Sequence, residues 1–202
     1  MSRAFFPVSL NLTGRTCVVI GAAGDREAIE KEAALREAGA TVRWIRDVAD
    51  LRDEDVSDAF FVISTPQDAQ LSARLRRLAD ERGFLLCCID QPAFGFVSMA
   101  AVAKAGPVRI AISTAGLAPR VGKVLKLALQ RVMDAKFERF VECLATQRAR
   151  VRRRHPAPEE SSVRRRAMID AADGFEMEAT VGYPRWFEDE LRGLLPHAAE
   201  KP

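Results

Sequence analysis

Histidine is nearly absent from this 202-residue chain, which has two, His155 and His197, beside four cysteines, Cys17, Cys87, Cys88 and Cys143. No two cysteines show the C-x-x-C spacing, so the common zinc-ligand sets cannot be assembled and no metal site is expected. Cys17 and the Cys87-Cys88 pair lie in apolar, strand-like runs, where a thiol behaves as a small buried hydrophobe. In a reducing compartment none of them needs a disulfide partner. No stretch reaches the roughly 18 to 20 apolar residues of a membrane span. Met1 to Leu12 holds one basic residue and a short, interrupted apolar run, too weak for a secretory signal. A cytoplasmic protein that does not touch a membrane is expected.

What is present is an ordinary globular composition, 48% hydrophobic and 29% charged, which argues against a disordered or fibrous chain. The length suffices to bury a core without staples. The net charge of +3 is unevenly spread: residues 1–115 carry a net of −1 and residues 116–202 a net of +4. An acidic ligand would therefore find its attraction in the second part.

Thr16 to Ile20 reads as a buried strand running into a glycine turn at Gly21. Arg26 to Ala38 is rich in helix formers, and Gly39 stands where a helix-ending glycine belongs. Ala40 to Ile45 is a second strand, which completes a βαβ unit with a right-handed crossover. Ala59 to Ser64 predicts a third strand, Asp68 to Arg82 a helix closed by Gly83, and Phe84 to Ile89 a fourth strand. Val108 to Ser113 is a further strand after the Gly106-Pro107 turn. The alternation predicts an α/β fold with an open, mostly parallel Rossmann-like sheet. After Gly116 the pattern becomes helical: Pro119 suits a first helical turn, and a helix is expected from 120 to about 154. Val121, Val124, Leu125, Ala128 and Val132 give it an apolar stripe. His155-Pro156-Ala157-Pro158 breaks it, Glu159 to Ser162 starts another helix, and Gly182-Tyr183-Pro184 precedes a short one from Trp186 to Leu195. The expected division is a dinucleotide-binding domain over 1–115 and a helical region over 116–202.

Gly21-Ala22-Ala23-Gly24-Asp25 follows a strand and opens a helix, the context in which a backbone approaches a pyrophosphate and helix N–H groups receive it. Ala23 and Arg26 stand where a full G-x-G-x-x-G has glycines, so a bare strand-to-helix turn is the other reading. Asp47, at the end of the second strand, suits the ribose hydroxyls of NAD, or is a solvated loop acid; Arg43 and Arg46 keep NADP open. Ser64 and Thr65, at the end of the third strand, complete the candidate cofactor set.

Taken together, Phe6 to Leu12, Val18 to Gly21, Arg36 to Ala40, Cys88 to Pro92, Gly106 to Gly116 and the Pro119 helix resemble the precorrin-2 dehydrogenase family, the sirohaem synthase N-terminal domain. The later helices, with Gln147 to Arg152, resemble that family's helical extension, and the free-standing form without a methyltransferase module is expected. The resemblance implies oxidation of precorrin-2 to sirohydrochlorin with NAD, a homodimer formed through the helical region, and in some members iron insertion at the same site. It maps the catalytic aspartate onto Asp90, where a carboxylate can take a proton as the hydride leaves; a turn former before Pro92 is the alternative role. Precorrin-2 is a polyacid, and Arg120, Lys123 and Lys126 follow the Ser113–Gly116 turn at a spacing of three, where they could bind it or form a solvated face. Ser113, Thr114, Gly116, Arg120 and Lys123 are the candidate substrate residues, and Thr114 takes the place of a serine that can be phosphorylated in the family.

Two departures stand out. The glycine turn holds about two extra residues, and Asp47 to Phe60 lacks the strand and helix that family members place there. The alternative reading is thus a relative that carries a tetrapyrrole or inserts a metal into it with a degenerate NAD site. A rival of another class is phosphate neutralisation by Arg148 to Arg154 and Arg164 to Arg166. No aromatics interleave these arginines and Glu159-Glu160 separates them, so nucleic acid is not expected as a partner.

Overall fold

The computed structural model describes residues 5–194; His197 and Leu195 lie outside them. Among the described residues there are six strands and six α-helices, and the described chain divides into two compact units between Glu138 and Arg139.

The first unit is built on a four-stranded parallel sheet in the order β2-β1-β3-β4, from β1 (Thr16–Ile20), β2 (Thr41–Ile45), β3 (Phe61–Ser64) and β4 (Leu85–Cys88). Because successive strand side chains point to opposite faces, each central strand feeds two cores. Val18, Ile20, Val62 and Leu86 pack with Leu71, Leu75 and Leu78 of α2 (Ala69–Arg82). Cys17, Val19, Ile63 and Cys87 pack with Ala28 and Leu35 of α1 (Arg26–Glu37). Strands buried on both faces read as continuous apolar runs, which is why these four were legible. The helices have readable ends as well: Asp68 caps α2 by accepting from Gln70 N (2.8 Å) and Leu71 N (3.1 Å), and Gly83 closes it at φ 82.

Between β2 and β3 the acidic stretch forms two short 3-10 turns, Val48–Asp50 and Asp53–Val56. It is more than a solvated turn. Leu51 and Val56 are buried in the α2-side core, Arg74 holds Asp53 at 2.5 Å, and Arg43 holds Asp58 at 2.9 Å. The sheet therefore ends at β2.

Two expectations need correction. The strand at Val108 does not join the parallel sheet: β6 (Val108–Ile112) pairs antiparallel with β5 (Ala101–Ala105), a strand not anticipated, in a separate hairpin. Alanine, abundant in β5, favours helices over strands, so local preference hid it. The helix expected over 120–154 is two helices, α3 (Pro119–Val132) and α4 (Ala135–Arg154). Met133 leaves the helical conformation and sinks into the hairpin core with Ala103 and Ala105. Asp134 then starts α4 by accepting from Phe137 N at 2.9 Å, as a capping carboxylate does.

The second unit, from Arg139, holds most of α4, a 3-10 turn at Pro158–Glu160, α5 (Ser161–Ala171) and α6 (Arg185–Leu194). The corner between α4 and α5 is fixed by polar contacts. His155 Nδ1 lies 2.8 Å from Glu160 Oε1, and Arg164 donates to the carbonyls of His155 (2.8 Å) and Ala157 (2.6 Å). No described helix is long and apolar enough to cross a membrane.

Candidate active site

Parallel strands put all their carboxyl ends on one edge. Ile20 lies opposite both Ile45 and Ser64, and Ser64 opposite Cys88. Gly21, Asp47, Thr65 and Asp90 therefore leave the sheet side by side, where an open α/β sheet binds its ligands.

At β1 the chain turns tightly. A Cβ on Gly21 would stand 2.2 Å from Thr65 Oγ1 and 2.9 Å from Ala28 Cβ, so only glycine lets the turn pass between β3 and α1. Gly21 N donates to Ile45 O at 3.0 Å, and Trp44 Nε1 donates to Gly21 O at 2.8 Å. The backbone N–H groups of Ala22, Ala23 and Gly24 have no partner among the described residues and face solvent. Successive free N–H groups ahead of a helix N-terminus suit a pyrophosphate. Asp25 caps α1 through Glu27 N at 2.9 Å and accepts a short hydrogen bond from Thr65 Oγ1. That hydroxyl, with the N–H groups of Glu27 and Ala28, holds the Asp25 carboxyl below its usual range against a modest opposing effect of burial.

Asp47 is exposed and caps the first 3-10 turn by accepting from Ala49 N at 2.9 Å. Arg46 beside it rests its guanidinium on the Trp44 ring, 5.0 Å from the centroid. Arg43 is tied to Asp58 and turned away from this role. The Ser64 side chain is fully buried and its hydroxyl has no partner among the described residues, so Thr65 rather than Ser64 faces the turn.

Asp90 stands just past β4 with φ 57, and Ala115 has φ 51; they are the two non-glycine residues of positive φ among the described residues. Asp90 is itself a candidate residue, and Ala115 lies between two others, Thr114 and Gly116. Left-handed backbone costs about 1–2 kcal/mol for an ordinary residue and less for aspartate. The loop after Asp90 doubles back on β4: Phe96 N and Val97 N both donate to Leu86 O, at 2.8 and 3.0 Å. Gly95 packs tightly there: a Cβ would lie 3.1 Å from Leu86 O and 3.3 Å from Val97 O.

Two residues were missed by sequence reasoning. Gln67 Nε2 donates to Asp90 Oδ2 at 3.2 Å and so orients the carboxylate from the neighbouring loop. Gln91 has a shielded Oε1 with no partner among the described residues, an acceptor that a ligand donor would satisfy. The available signal was position: both lie within three residues of a strand's carboxyl end.

Ser113, Thr114, Gly116, Arg120 and Lys123 form a second cluster between β6 and the first turns of α3. Lys104 and Arg109, near the closed end of the hairpin, pair with Glu37 at the last turn of α1, and these cations hold Glu37 below the usual carboxylate range. Because α1 runs back against the strands, that anchor lies at the amino edge of the sheet. At the open end of the hairpin Ala101 faces Ile112, and Ser113 continues from it. Arg120, Lys123 and Lys126 are exposed and without a carboxylate partner among the described residues. Of the cysteines, Cys17, Cys87 and Cys88 are buried, and burial pushes the Cys87 thiol up to about 12, so none is a nucleophile.

Residues 8–101 match the model of a family described as "Putative NAD(P)-binding". The solved structure of SirC, precorrin-2 dehydrogenase, matches with a TM-score of 0.66 at 19% identity, over 84% of this chain and 90% of its own. The chain shares the fold of that structure. A sirohaem synthase of Nitrosococcus oceani is 26% identical over 74% of this chain, and one of Thioalkalivibrio sulfidiphilus 28% identical over 97%. The chain spans 36% and 42% of the length of these two relatives. With the free N–H groups of the Gly21 turn, the family match is consistent with a nicotinamide dinucleotide, NAD or NADP, at this edge.

Proposed function

We propose that the chain is a cytoplasmic, NAD-dependent dehydrogenase that oxidises precorrin-2 to sirohydrochlorin in sirohaem biosynthesis, with Asp90 as general base. The observation that carries this is Asp90 itself, held in left-handed backbone at the carboxyl edge of the sheet with its carboxylate oriented by Gln67. The similarity to sirohaem synthases and to SirC supports the choice of substrate.

Ala22, Ala23 and Gly24 would hold the pyrophosphate by their N–H groups, with Gly21, Asp25 and Thr65 shaping the turn and Asp47 taking the ribose hydroxyls. When bound, NAD supplies the acceptor for a hydride. The substrate loses that hydride and a proton, and Asp90 takes the proton. Arg120 and Lys123, with the Ser113-Thr114 turn and Gly116, bind the substrate carboxylates. Residues 1–115 serve the nucleotide, and those from 116 onward serve dimerisation and the tetrapyrrole. Iron insertion is a second use of the same carboxylate. The dimer forms through α3, whose Val121, Val124 and Leu125 are 52%, 57% and 40% exposed in one copy.

A second reading is favoured by one specific observation: the sheet ends at β2, so no further strand walls the adenosine half of the site. On that reading the chain binds a tetrapyrrole as carrier or chelatase and does not use NAD.

The experiment is anaerobic NADH formation at 340 nm with enzymatically made precorrin-2, comparing wild type with Asp90→Ala. Turnover in the wild type that collapses in the variant supports the dehydrogenase. Tight tetrapyrrole binding without turnover on NAD or NADP replaces it with the second reading.

A further inference from the structure

In the second unit α4 and α5 enclose an open trough. One part of it, about 360 Å³, is lined by Arg148, Arg152, Arg164 and Arg165 with Val151 and Met168. The adjoining part, about 520 Å³, shares Arg148, Arg152 and Met168 and continues along Val141 and Leu144 of α4. The trough thus has an apolar floor and a cationic rim, and all of its residues belong to one unit.

The rim charges differ from those of α1 and α2. Most arginines of α1 and α2 are paired with carboxylates, at Glu30, Glu32, Asp53, Asp80 and Glu81. Arg148, Arg150, Arg152, Arg153, Arg154 and Arg165 have no carboxylate partner among the described residues. Arg164 is spent on the corner carbonyls and holds α5 at the trough, while Arg166 pairs with Asp170. Gathering unneutralised guanidinium groups around one cavity is repulsive, and the repulsion is relieved by an anion with several charges. Guanidinium forks bind carboxylates bidentately.

We infer that this trough is a second binding site, for a polycarboxylated tetrapyrrole, built entirely by α4 and α5 and separate in its residues from the Asp90 site. The choice of tetrapyrrole rests on the dehydrogenase reading above; the chemistry that selects it is here. A flat apolar macrocycle covers Val141, Leu144, Val151 and Met168, and its peripheral carboxylates reach Arg148, Arg152 and Arg165. A nucleic acid would use the arginines but leave the apolar floor uncovered, and no aromatic side chain lines the trough for base stacking. Such a site would retain a reactive product near the enzyme until the next one takes it.

The test is calorimetric titration of the full chain with uroporphyrin, a stable tetrapyrrole bearing eight carboxylates, at low and high salt. Wild type is compared with Arg152→Glu/Arg165→Glu, with the milder Arg148→Gln/Arg152→Gln, and with Arg120→Glu/Lys123→Glu in the proposed substrate site. Circular dichroism and Tm check that each is folded. The expected result is loss of one equivalent of uroporphyrin, or binding at least ten-fold weaker, in both trough variants. That equivalent is retained in Arg120→Glu/Lys123→Glu and weakens with salt. Unchanged titration of the trough variants, or loss of all binding in Arg120→Glu/Lys123→Glu alone, overturns the inference. So does displacement of the dye by a duplex oligonucleotide that binds more tightly, which would assign the trough to nucleic acid. NADH formation measured on the same trough variants separates the two claims: the dehydrogenase can fail while trough binding stands, and the reverse.

Discussion

Asp90 combines a backbone demand with a chemical one. Its φ of 57 suits aspartate and asparagine far better than most residues, while proton transfer needs the carboxylate. Asp90→Asn should therefore keep Tm within about 2 °C and lower NADH formation by about a hundred-fold or more. Gln67→Leu should lower kcat with little change in the KM for NAD, since Gln67 meets the carboxylate and not the nucleotide turn. Equal loss of stability and of activity in Asp90→Asn would mean that the residue shapes the turn and nothing more. Asp25 gives a pH signature of a different kind. Its folded carboxyl lies below the usual range because Thr65 and the α1 N–H groups stabilise the charge. That stabilisation is present above about pH 4 and is lost as pH falls through the folded value. Urea unfolding should show Asp25→Asn less stable than wild type at pH 6, with the difference shrinking as pH falls below about 4; a difference that does not shrink in acid would assign the effect to packing. At this scale the sequence offered Gly21 and Asp25 from the strand-to-helix turn they form, and Asp90 through the family resemblance. It could not name Gln67, because a bond between two loops depends on β3 lying beside β4.

The parallel strands and their helices were legible because each carries its own signals: continuous apolar runs, Asp68 at the start of α2, Gly39 and Gly83 after α1 and α2. The packing they imply can be tested at Leu75, fully buried between α2 and the sheet. Leu75→Ala should cost about 2–5 kcal/mol in chemical unfolding, with an unchanged m-value if the rest of the fold stands. A cost under about 1 kcal/mol would mean that α2 does not close this core. The hairpin and the α3–α4 break were harder to read, for one physical reason. Ala101 to Ala105 prefers a helix and is held as a strand by β6 and by α3 packed on it, and Met133 leaves the helix to fill that core. Tertiary contacts override local preference in both places.

At the scale of the whole molecule, α3 and the second unit expose several large apolar side chains; Val124 is 57%, Trp186 67% and Val181 61% exposed. Val124→Glu should convert the proposed dimer to monomer in light scattering while leaving the circular dichroism spectrum unchanged. A wild-type chain that elutes as a monomer at tens of micromolar would remove the dimer from the proposal.

By itself the sequence determined the class of fold and the residue types that stand at the carboxyl edge of its sheet. Strand alternation, capping residues and glycine turns act over a few residues and are written locally. Tertiary structure decided the rest: that β5 and β6 leave the sheet, that Leu51 and Val56 anchor the short acidic segment, that Gln67 reaches Asp90, and that arginines thirteen residues apart in sequence line one trough. Each of these depends on groups distant in the chain coming together, and their energies exist only once the core has formed.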